Sequence, residues 1–149
     1  MSRETPRLRM FAGPNGSGKS VLKSYLPESL LGVYLNPDEI EANITKRGCV
    51  DLQSFGMQTT EEEVLSAFTG SQLLHGKSFS KAAESLTFAE GCLFFPPGVI
   101  NSYFASVLVD FIRGKLLQAG LTFTFETVMS HPSKVDLLAK AQQAGYRTY

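Results

Sequence analysis

The chain has no long apolar run, no excess of charge of either sign, and few cysteines or histidines. Each shortage closes off a class of function. No stretch approaches the roughly 18 apolar residues that span a bilayer, so no membrane partner is expected. The opening MSRETPRLRMF carries charge with no apolar stretch behind it, unlike a secretory signal, and a cytoplasmic location is expected. Lys and Arg (14) balance Asp and Glu (14), which argues against a dedicated nucleic-acid binder. Cys49 and Cys92 lie far apart without metal-ligand spacing and read as buried or free thiols. The two histidines, His75 and His131, are too scattered for a metal site. Repeats and low-complexity segments are absent.

What is present is an ordinary globular composition. The 149 residues make about one domain's worth of chain, and the shares of 43% hydrophobic and 19% charged residues argue against wholesale disorder. RLRMFA (7–12) reads as a strand, and residues 18–26 as a helix stopped by Pro27. GVYLN (32–36) reads as a second strand, followed by a helix from Asp38 to about Lys46 with acids in its first turn. This punctuation is βαβ and predicts a parallel sheet with right-handed crossovers. Thr60 and Glu63 form a capping-box pattern that starts a helix, and FSKAAESLTFAEG (79–91) reads as another. Residues 48–100 are accordingly expected to be a helical insertion. Asn101 and Gly120 bound a further helix whose Phe104, Leu108, Phe111, Ile112 and Leu116 share one face. That stripe reads as core packing rather than a cofactor box. LTFTFETV (121–128) alternates as a strand, SHPSKVDLLAKAQQAG supplies a helix, and YRTY begins a last strand.

The stretch GPNGSGKS, residues 13–20, satisfies G-x-x-x-x-G-K-[ST] at every fixed position. Gly13, Gly16 and Gly18 let the backbone turn tightly and approach phosphate oxygens with no Cβ in the way. Amides of the loop, Asn15 and Ser17 included, converge on anionic oxygens at a helix start, where the dipole adds to the attraction. Lys19 would reach the β- and γ-phosphates, and the Ser20 hydroxyl would ligate Mg²⁺. The pattern arises by accident in about one chain in a few hundred of this length. Here it also lies between a predicted strand and a predicted helix, the context the motif demands, and nucleotide binding, with ATP and Mg²⁺ as the cofactors, is expected.

Ligands of a parallel sheet gather outside the carboxyl ends of its strands. The first strand ends at the phosphate loop, the second at LNPDE with Asp38 and Glu39, and a later one carries Glu126 near its end. Phosphoryl transfer needs one acid to orient or deprotonate the attacking hydroxyl and another to serve Mg²⁺ or the acceptor. The plainer readings are that Asp38 caps its helix and that Glu126 faces water at a strand end. His131 reads as a loop or cap residue.

GPNGSGKS, YLNPDEIEANI, NSYFASVLVDFIRGKLLQAG and FTFETVMSHPSKVDLLAKAQQAGYRTY together resemble the zeta-toxin-like branch of P-loop kinases. Some members of that branch carry the label ABC-type ATPase. The resemblance implies a P-loop NTPase three-layer α/β sandwich that phosphorylates the amino sugar of a UDP-sugar and is restrained by a small antitoxin. It implies Lys19 and Ser20 at the nucleotide and Mg²⁺ site, Asp38 as catalytic base, and Glu126 as an acid facing the sugar. It also implies a C-terminal lid with arginines, and Arg47, Arg113 and Arg147 do not stand where that lid would be, so the chain reads as truncated. Two other classes stay open beside the kinase. An ABC-type ATPase needs an LSGGQ-like signature and an apolar strand ending in Asp-Glu, both missing here; an inactive nucleotide-binding module needs neither.

Overall fold

The computed structural model of the chain describes residues 4–14, 18–127 and 133–149, with backbone alone at Ser20, Ser133 and Lys134. The chain opens with β1 (Arg7–Ala12), α1 (Lys19–Tyr25), α2 (Glu28–Leu31), β2 (Val33–Leu35) and α3 (Pro37–Arg47). It continues through β3 (Cys49–Asp51), a 3₁₀ turn at Leu52–Phe55, and the short helices α4 (Glu61–Thr69), α5 (Gln72–Gly76) and α6 (Ser80–Ala83). After β4 (Thr87–Ala89) and β5 (Cys92–Phe94) come α7 (Ser102–Ala119), β6 (Phe123–Thr127), α8 (Ser133–Gln143) and β7 (Arg147–Thr148). Two compact units result, one from residues 1–36 with 116–149 and one from 37–115.

The first unit is built on a four-stranded sheet in the order β2-β6-β1-β7, parallel at every pairing. Side chains alternate between its faces, and the register sorts them by chemistry. Leu8, Leu35, Phe123 and Phe125, fully buried, occupy one face. Tyr146 lays its ring edge-on to Phe123 at 6.1 Å on that apolar side. Arg9, Tyr34, Thr124 and Glu126 occupy the other face. A short helix leaves its last carbonyls unpaired, and α2 uses this. Arg9 donates to the carbonyl of Leu30, and the Thr124 hydroxyl donates to that of Leu31 at 2.8 Å. Arg9 and Thr124 of the polar face are thereby hydrogen-bonded rather than merely buried. Only glycine fits at position 32, where φ is +62° and a Cβ would stand 2.1 Å from the Thr122 carbonyl oxygen. Both long helices near this sheet end alike. Leu121 and Tyr146 return amides to the carbonyls of Leu116 and Ala141, beside Gly120 and Gly145 in left-handed conformation.

In the second unit α4 begins at the Thr60 capping box, whose Glu63 also pairs with Lys115 at 2.6 Å. Asn101 accepts amides from Tyr103 and Phe104 at 3.0 Å and caps α7. Phe104 stacks on Phe68 at 6.1 Å, with Phe95 edge-on to both, so the aromatic stripe is core. Phe111 alone of the five stripe residues is only half-buried.

Within residues 48–100, expected as a helical insertion, the helices α4, α5 and α6 are accompanied by an antiparallel sheet of β3, β5 and β4 that the sequence reading did not include. FSKAAESLTFAEG is helical only over Ser80–Ala83 and then enters β4. The chain reverses at Glu90-Gly91, with φ of 52° and 80°, a two-residue loop joining β4 to β5. Positive φ at both loop residues matches the twist of paired strands. Among the described residues, no helix is long and apolar enough to cross a membrane.

Candidate nucleotide site

β1 leads into the glycine loop, and α1 leaves it. The Gly13 amide donates to the Thr127 carbonyl at 3.1 Å, which ties the start of the loop to the end of β6. The Lys19 ammonium donates to the Gly13 carbonyl at 2.5 Å, joining the two ends of the loop. Gly18 holds φ at +90° as the residue before α1, with nothing within 4 Å of the place a Cβ would take. Its glycine is thus required by backbone conformation rather than by crowding. Asn15, Gly16 and Ser17 lie outside the described residues, as do the Ser20 side chain and His131.

The register brings Glu126 to this same edge of the sheet. It stands opposite Phe11 on β1, one position before the Ala12–Thr127 pair from which the loop departs. Its side chain is only 6% exposed, and burying a carboxylate is costly unless it is hydrogen-bonded. Asn36, one residue past β2, supplies the bond: its Nδ2 donates to Oε2 at 2.6 Å. The plainer expectation of a water-facing Glu126 is therefore overturned. On the same face Phe11 meets the Tyr34 ring edge-on at 6.2 Å, and the Lys23 ammonium lies 4.2 Å from the centre of the Tyr34 ring.

Asp38 belongs to the second unit, where it is exposed in the first turn of α3 beside Glu39. The first sheet thus brings Gly13, Asn36 and Glu126 to one edge, and Lys19 joins them through its bond to the Gly13 carbonyl. Asn36 escaped the sequence reading. Its one signal was position, a polar residue ending an apolar strand just before Pro37. The partner it binds is 90 residues away.

Among the described residues, no three His, Cys, Asp or Glu side chains form a group that could hold a metal. Mg²⁺ bound together with a nucleotide takes few protein ligands and is held largely by the phosphates themselves. No protein-family model matches this chain, and neither does any curated protein or solved structure.

Proposed function

We propose that this protein is a cytoplasmic, ATP-binding phosphotransferase of the zeta-toxin-like P-loop kinase type. It moves the γ-phosphate of Mg²⁺-ATP to a hydroxyl of a small molecule, a nucleotide sugar being the acceptor class. The supporting observation is one of placement. A complete phosphate-loop motif leaves the carboxyl end of a parallel strand, and a buried carboxylate occupies the neighbouring strand at the same edge.

In the reaction the acceptor oxygen attacks the γ-phosphorus, the bond to the bridging oxygen breaks, and ADP leaves. Asp38 takes the proton of the attacking hydroxyl. Loop amides and Lys19 neutralise charge on the transferring group, and Glu126 receives the acceptor; Ser20 would hold Mg²⁺, which would supply further neutralising charge at the phosphates.

Isothermal titration with Mg²⁺-ATP, followed by incubation with γ-labelled ATP and a panel of nucleotide sugars, tests the proposal. Lys19→Ala is expected to weaken ATP binding by about tenfold to a hundredfold. Asp38→Asn is expected to keep ATP affinity and to slow transfer by about 10²–10⁴-fold. Equal transfer by Asp38→Asn and wild type removes the assigned base. Hydrolysis independent of any acceptor would make the protein an ATPase instead, and binding without turnover an inactive module.

A further inference from the structure

We infer that Asn36 is a positioning residue that holds the Glu126 carboxylate in place for the phosphoryl acceptor, an inference that rests on the phosphotransferase reading. Strand pairing aligns Leu35 with Phe125, so the next residues along the two strands, Asn36 and Glu126, meet just beyond the last ladder pair. An ionised carboxylate only accepts hydrogen bonds, so the amide of Asn36 must present its N–H and not its carbonyl. The two side chains stand 2.6 Å apart, within hydrogen-bond distance.

The backbone of Glu126 is fixed independently, because β6 is flanked by β1 on one side and β2 on the other. What remains loose in such a residue is its long side chain, and the Asn36 amide fixes it. With Oε2 held by that amide, the carboxylate keeps lone pairs to accept a hydrogen bond from the ligand. A carboxylate repels phosphate, so the group received there is a neutral donor such as a sugar hydroxyl. The role assigned to Asn36 is to hold Glu126 and not to take part in the transfer itself. It acts through Glu126, and its loss weakens acceptor binding rather than the chemical step.

The test uses the full chain, Mg²⁺-ATP and the same nucleotide-sugar panel. Asn36→Ala is expected to raise the acceptor KM about tenfold, with kcat changed by less than about threefold and ATP affinity unchanged. The double variant Asn36→Asp/Glu126→Gln keeps one amide and one carboxylate but exchanges their places. It is expected to recover the wild-type melting temperature while the acceptor KM stays raised. A purely structural pair would recover both, and that result overturns the inference even if Asn36→Ala fails to fold. An acceptor KM within about twofold of wild type in Asn36→Ala also overturns it, with the phosphotransferase reading intact. No transfer by wild type to any hydroxyl of the panel removes the reading and the inference together.

Discussion

Tyr146 shows how much one side chain does in the first unit. It is 5% exposed, and its hydroxyl stands 3.0 Å from the Leu116 carbonyl and 2.7 Å from that of Leu121. A phenol carries one proton, so the two carbonyls share it. Leu116 also receives the Leu121 amide at 3.1 Å, so the Leu121 carbonyl depends more on the phenol. Burial pushes the Tyr146 hydroxyl up to about 12, against an ordinary value of 10.0. A folded-state value above the unfolded one stabilises fully below pH 10, and that stabilisation is lost as pH rises towards 12. Tyr146→Phe is therefore expected to cost about 1–2 kcal/mol near neutrality. The gap to wild type should close between pH 10 and 12, as read by urea unfolding at pH 8 and pH 11. A gap constant with pH would show that the hydroxyl is not held protonated by the fold.

Among elements, α4 shows a local signal carried faithfully into structure. Thr60 accepts the Glu63 amide at 3.2 Å, and the Glu63 carboxylate accepts the Thr60 amide at 3.4 Å. Both partners lie within four residues, so the pattern could be read without knowing the fold. Thr60→Ala is expected to cost about 1 kcal/mol, seen as a lower urea midpoint with an unchanged slope. The β4–β5 hairpin is the opposite case. Glu90 at positive φ is not a residue that advertises a turn, and Leu86 and Phe88 fit a helix pattern as readily as a strand. Cross-strand pairing of Phe88 with Leu93, not propensity, decides the matter.

For the whole molecule, the ordering of contacts along the chain sets how it folds. The first sheet joins segments 115 residues apart, as in the Arg7 amide's bond to Thr122, across all of the second unit. The second unit is continuous in sequence, and its helices are closed by near neighbours. Closing the long loop costs entropy before any contact repays it. In pulse-labelled hydrogen exchange during refolding, amides of α4 such as Val64 should gain protection before Phe125 of β6. Simultaneous protection would mean that the two units fold as one.

The phosphate-loop motif, the helix caps and most strand segments were determined by the sequence alone, because each depends on residues within one or two turns of chain. Gly13, Lys19 and the strand bearing Glu126 could be named on that basis. The tertiary structure alone decided that β6 lies between β1 and β2, and in which register. That register places Asn36 against Glu126, and it settles the burial of an acid whose plainer reading was a water-facing strand end. A pairing across 90 residues follows from how apolar side chains fill the other face of the sheet, and no local pattern encodes it.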